Sequence, residues 1–121
     1  MWGENVKYEA ETRKFIQSDA INKNINPEKQ SRHDINSDGY QQGRSYLLPG
    51  IDAQALVNIY HGTGEPKFNK SGEWKNREVV DINYSIGILV NPHTNEETIT
   101  NSFTIHYSKT GAHVVPAPRK D

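Results

Sequence analysis

Alternation of apolar and polar residues over the last third of the chain, from Glu78 to Pro116, constrains the fold more than any other feature. Val80, Ile82, Tyr84, Ile86, Ile88 and Val90 alternate with Asp81, Asn83, Ser85, Gly87 and Leu89. Asn91-Pro92-His93-Thr94-Asn95-Glu96 reads as a turn. Beyond it Ile99, Phe103, Ile105 and Tyr107 alternate with Thr98, Thr100, Ser102, Thr104, His106 and Ser108. A period of two over this length predicts β-strands with one buried and one polar face. The polar face is a row of hydroxyls ending in His106, Ser108 and Lys109, with His113 just past a Thr110-Gly111 turn. Solvation alone needs no such selection, so this face is expected to floor a site.

The strands need little else to make one domain. The chain has 121 residues, room for one core. Its 33% hydrophobic content and mean hydropathy of -0.86 predict a small core and long loops. No apolar run approaches the roughly eighteen residues of a membrane span, and Met1-Trp2-Gly3-Glu4 has no basic-then-apolar leader pattern. With no cysteine, disulfides, thiolate catalysis and thiolate zinc sites are excluded. A net charge of -1 argues against a purely electrostatic nucleic-acid binder.

Upstream, Glu4 to Gln17 is compatible with a helix carrying a thin stripe of Val6, Ala10 and Phe15, and residues 1–25 read as a helical linker or docking segment. Lys29-Gln30-Ser31-Arg32-His33 is a basic cluster without periodicity. Asn36-Ser37-Asp38-Gly39 marks a turn, and Gly43 to Gly50 a short extended piece closed by Pro49-Gly50. The clearest helix begins after Asp52, an N-cap residue. Ile51 and Leu56 have the spacing of a hydrophobic staple. Leu56, Ile59 and Tyr60 are expected to face the sheet, and Gly62 to end the helix.

Matching apolar faces sets Ile88 opposite Ile99, Tyr84 opposite Phe103 and Ile82 opposite Ile105. Asp81 then lies opposite His106, although a slip of two residues preserves the faces equally. For the last hairpin, a loop over Ser108 to Gly111 sets His106 beside His113 and Ile105 beside Val114. A three-residue loop with a glycine bulge instead turns His113 to the apolar face.

Of five histidines, His61 sits at a helix C-terminus, where a dipole contact explains it, and His93 in a solvated turn. His33, His106 and His113 remain, with Lys29, Arg32, Arg44 and Lys109. A metal site lacks a His-x-x-x-His pair or a supporting carboxylate, so no metal is expected. Two imidazoles, a cation and hydroxyls are the requirements for RNA cleavage without a metal. One imidazole takes the 2′-OH proton, the other protonates the leaving oxygen, and cations stabilise the transition state. The competing reading is a solvated strand face on which these groups are incidental.

Four blocks carry a family resemblance: Lys29-Gln30-x-Arg32-His33, Gly43-Arg44-Ser45-Tyr46-Leu47, Gly62-Thr63-Gly64, and Phe103-x-Ile105-His106-Tyr107-Ser108-Lys109-x-Gly111-x-His113-Val114-Val115-Pro116. Together they resemble the bacterial polymorphic toxin type 50 domain over roughly residues 26–117. The last block is the most specific, and Asp34 after His33 departs from the apolar residue expected there. The resemblance implies an α+β fold, with N-terminal helices packed on a twisted antiparallel β-sheet, of the kind shared by barnase, EndoU, the tRNA-cleaving colicins and RelE. It implies a toxin domain over residues 26–121 and origin in a longer secreted or phage-derived protein; no cofactor is expected. It further implies a cognate immunity protein, and a tRNA or other RNA substrate in the target-cell cytoplasm.

On that reading His33 and His106 form the acid/base pair, with His113 able to replace either. Arg32 and Lys109 stabilise phosphate charge, Ser108, Thr104 and Ser45 donate hydrogen bonds, and Lys29, Arg44 and Tyr46 contact substrate. Tyr107 is either a substrate contact or core. The rival classes are a non-catalytic protein-binding module and a nuclease acting on DNA.

Overall fold

The computed structural model describes residues 2–119, with side chains from Tyr8 onward. Three helices, α1 (Trp2–Ile16), α2 (Pro27–Ser31) and α3 (Ala53–Tyr60), accompany seven strands. These are β1 (Tyr46–Leu47), β2 (Glu65–Phe68), β3 (Trp74–Asp81), β4 (Gly87–Val90), β5 (Glu97–Thr100), β6 (Ser102–Ser108) and β7 (Gly111–Ala117). They form two antiparallel sheets, β1-β4-β5 and β2-β3-β6-β7, so the class is α+β as expected.

The single long hairpin expected from the alternation is divided between these sheets. Ile88 does face Ile99 across β4 and β5. In the larger sheet, however, Ile105 faces Glu78 rather than Ile82, a displacement of 82 − 78 = 4 residues. Residues 82–86 leave the ladder at a corner closed by backbone bonds from Ile82 N–H to Asn101 O (3.0 Å) and Ile86 N–H to Thr100 O (2.9 Å). Tyr84 and Ile99, expected inside, are therefore exposed. Asp81 lies opposite Ser102, and Arg77 takes the place opposite His106.

The core lies between the inner face of the larger sheet and the helices. Val80, Phe103, Ile105, Tyr107, Ala112 and Val114 meet Ile16 of α1 and Ala53, Leu56 and Val57 of α3. Asp52 caps α3 by accepting from Gln54 N–H at 2.9 Å. Val57 rather than Ile59 completes its buried stripe, because positions 53, 56, 57 and 60 follow the helical repeat and Ile59 turns to solvent. Gly62 follows the C-cap His61 at φ 76, a left-handed conformation that ends the helix.

Helix α1 is tied to the domain. Ile16 is fully buried, Arg13 Nε donates to Gly64 O at 2.8 Å, and Gln17 Nε2 to Gly62 O at 3.1 Å. Ala10 and Phe15 are exposed, Phe15 lying edge-on to Trp74, and Val6 falls outside the residues whose side chains are described. The outer edge of β7 is closed in two ways. The 24–26 backbone pairs with Ala112 (2.8 Å in both directions), and the Gln30 side-chain amide then imitates a strand by bonding Val114 N–H (2.7 Å) and Val114 O (2.9 Å). That second contact holds α2, and hence His33, against the sheet.

Candidate functional site

His106 and His113 are cross-strand partners in the β6–β7 hairpin, as one of the two expected loops required. Pairing continues to Ser108 and Gly111, leaving only Lys109 and Thr110 in the turn. Both imidazoles stand on the face away from the core, stacked with centroids 4.6 Å apart at 14°. His33 arrives from the segment after α2 and stacks on the other side of His113, at 6.0 Å and again 14°. Three parallel rings thus form a row, His106–His113–His33.

The local sequence fixes His33 tightly. It is 5% exposed, its Nδ1 lies 2.8 Å from Ser45 O, and its own carbonyl accepts from Leu47 N–H at 3.0 Å. A carbonyl only accepts, so Nδ1 carries the proton and the neutral ring keeps its lone pair on Nε2. Ser45 is itself anchored, its Oγ accepting from Val90 N–H at 3.0 Å. The second sheet therefore serves to position His33.

Cations crowd the row. Burial first, then Arg77, His33 and Lys29, push the His106 pKa down to about 4. Burial, His106, His33, Lys29 and Arg32 bring His113 down to about 4. His33 is lowered by burial and by Arg44 and Arg32, against the Ser45 hydrogen bond, which raises it. All three rings are neutral near pH 7, in a positive field that favours an anion. Among the described residues no group of three or more His, Asp or Glu is arranged to hold a metal ion.

The remaining expected residues divide. Lys29 Nζ reaches Ser108 Oγ at 3.3 Å, and Ser108 Oγ donates to Gly111 O at 2.9 Å, so both stand at the hairpin end of the row. Thr104 is two residues from His106 on the same face. Lys109 instead lines a hollow with Phe15, Ile21 and Tyr107 on the core side, and Arg77 supplies the cation opposite His106. Tyr46 is engaged elsewhere. Its hydroxyl donates to Glu97 at 2.6 Å, which raises its pKa to about 12, and its ring lies edge-on to Tyr40. Thr100 and Ser102 are buried and bond the Ala117 and Val80 carbonyls, so they are framework rather than floor.

Tyr107 is core, 5% exposed, with its hydroxyl 2.5 Å from Glu78 Oε1. Sequence reasoning missed this Glu78, which is fully buried. Its carboxylate also accepts from Gly62 N–H (2.8 Å) and Gly64 N–H (3.0 Å), so β3, β6 and the loop after α3 are joined at one point. Burial beside Glu78 raises the Tyr107 pKa, keeping the phenol protonated and donating. The signal was parity, since Glu78 shares the face of Val80.

Fold and site together define an α+β domain with a cation-ringed histidine row on the outer face of its larger sheet. The profile of the family described as bacterial toxin 50 (Ntox50) matches residues 25–116, well over half of the chain and including the whole row. The chain belongs to this family and is a bacterial polymorphic toxin domain. A comparison with curated proteins finds no match. No described helix is long and apolar enough to cross a membrane.

Proposed function

We propose that the domain is a metal-independent endoribonuclease and that the histidine row is its active site. The observation that carries this reading is the stack of three parallel imidazoles, 4.6 and 6.0 Å apart, ringed by Lys29, Arg32, Arg44 and Arg77. Parallel stacked rings do not converge their nitrogens on one point, and the neighbouring cations repel a metal ion as they attract a phosphodiester.

His33 is the base, because its Nδ1–H is committed to Ser45 O and its Nε2 lone pair is free to take the ribose 2′-OH proton. The 2′-oxygen attacks phosphorus and the bond from phosphorus to the 5′-oxygen breaks. His106 delivers a proton to that leaving oxygen. The products are a 2′,3′-cyclic phosphate and a 5′-hydroxyl. His113, between the two, hydrogen-bonds a non-bridging oxygen, while Arg77, Lys29 and Arg32 offset the growing negative charge. A bound phosphodiester itself favours the imidazolium form of His106, opposing the burial and cation repulsion that lower its pKa.

As a toxin the domain would be delivered as part of a larger protein to a target-cell cytoplasm, would cleave tRNA or another cellular RNA there, and would be held harmless at its source by a cognate immunity protein. Induced expression in bacteria tests this. Growth arrest is expected, relieved by His33→Ala or His106→Ala. An oligonucleotide with one 2′-deoxy sugar should resist cleavage at that position, because the nucleophile is gone. Harmless expression, or cutting at the deoxy position, would contradict the proposal.

A further inference from the structure

Next to the histidine row, on the same sheet face, lies a groove of about 560 Å3, a size usual for small-molecule sites. Lys67, Asp81, Thr104 and Thr63 are among the residues lining it, together with the tail at Pro118. Thr104 connects it to the row, being two residues from His106 on β6 and so about 7 Å away along the strand. Among the described residues neither the Asp81 carboxylate nor the Thr104 hydroxyl has a protein partner, whereas Lys67 is paired with Glu65 at 3.3 Å. The groove thus offers one free anionic acceptor and one free hydroxyl, a single strand step from the row.

We infer that this groove binds the nucleobase flanking the cleaved phosphate and selects a base with an exocyclic amino group. The inference rests on the ribonuclease reading of the row. A carboxylate accepts hydrogen bonds and donates none. Adenine, cytosine and guanine each present an exocyclic amino donor, whereas the one pairing-edge donor of uracil, N3–H, is flanked on both sides by carbonyl oxygens that a carboxylate repels. Asp81 therefore accepts the amino protons, and Thr104, able to donate and accept, bonds the adjoining ring position. The Lys67–Glu65 ion pair and Arg13 also line the groove.

Two measurements test this independently. In the first, the sixteen RNA dinucleotides are cleaved by the wild-type domain and by Asp81→Asn. The wild type should disfavour uracil at one flanking position by about tenfold, and Asp81→Asn should largely abolish that preference, because its amide also donates to uracil carbonyls. In the second, 2′-deoxy dinucleotides, which cannot be cut, are titrated into both proteins and into Thr104→Val by NMR. Tighter binding of amino-bearing bases, with shifts at Thr104 and Asp81 and the preference lost in Asp81→Asn, supports the groove even if no RNA is cleaved; in that case only the ribonuclease reading fails. Cleavage with a base preference that Asp81→Asn leaves unchanged, or with no flanking preference, overturns the inference. So do titrations without binding, or with equal binding of all bases.

Discussion

Acidifying the protein should weaken it through the histidine row, in which burial and neighbouring cations lower all three pKa values. His106 and His113 have folded pKa values of about 4, against roughly 6.5 in an unfolded chain. Between these values the unfolded chain binds more protons than the folded one, so stability rises with pH in that window. It is fully present above pH 6.5 and is lost as the pH falls towards 4. From pH 7 to pH 5 each ring costs roughly 1.5–2 kcal/mol, or about 3 kcal/mol for the two after allowing for solvent screening. Urea unfolding at pH 7, 6 and 5 reads this directly. With a slope of about 1–3 kcal/mol per molar urea, the midpoint should fall by about 1–3 M. Carboxylates elsewhere titrate too, so the comparison is with a His106→Asn, His113→Asn double variant, in which most of the fall should vanish. If the variant tracks the wild type to within about 0.5 kcal/mol, the burial and cation repulsion argued for the row are wrong.

Replacing Arg77 by Gln removes a cation facing His106, so the NMR titration midpoint of that ring should move up from about 4. An unmoved midpoint would detach Arg77 from the row. Glu78→Ala leaves Gly62 N–H, Gly64 N–H and the Tyr107 hydroxyl without their buried acceptor, and should cost about 3–5 kcal/mol in chemical denaturation; a loss below about 1 kcal/mol would refute the brace. Phe103→Ala should cost about 3–5 kcal/mol, because the ring is fully buried. Ile99→Thr should cost under about 0.5 kcal/mol, since Ile99 is 58% exposed. Comparable losses would restore the single long hairpin. A Cβ on Gly64 would meet the Val79 carbonyl oxygen, so Gly64→Ala should lower the melting temperature by several degrees, roughly 4–8 °C per kcal/mol for a domain near this size.

Much of the fold can be read in the chain because β-strands report parity. Alternation identified the core faces of β3 and β6, while the turn at Thr110-Gly111 left two loops open, of which the structure adopts the one that sets His106 beside His113. It could not report the corner. Residues 82–86 keep their alternation while leaving the ladder, and a displacement of four is even, so the paired side chains of β3 and β6 keep their faces and the sequence pattern is unchanged. The cost of that blindness fell on the site, where Asp81 was expected opposite His106 and Arg77 was overlooked. On α3 the stripes 56-59-60 and 53-56-57-60 both suit a helix, and only packing against β7 decides between them. His33 could not be positioned by periodicity, since the segment around α2 has none; the family resemblance suggested a shared cleft, and Gln30 and Ser45 supply the contacts that hold the ring there.

The central claim is that the row cleaves RNA by 2′-OH attack, with His33 and His106 as its proton carriers. Incubating the purified domain with total bacterial RNA in EDTA, beside His33→Ala and His106→Ala, and analysing the fragment ends tests it most directly. The account predicts discrete fragments ending in 2′,3′-cyclic phosphate and 5′-hydroxyl, absent with either variant. Intact RNA with folded protein, or cleavage that persists in both variants, would contradict it.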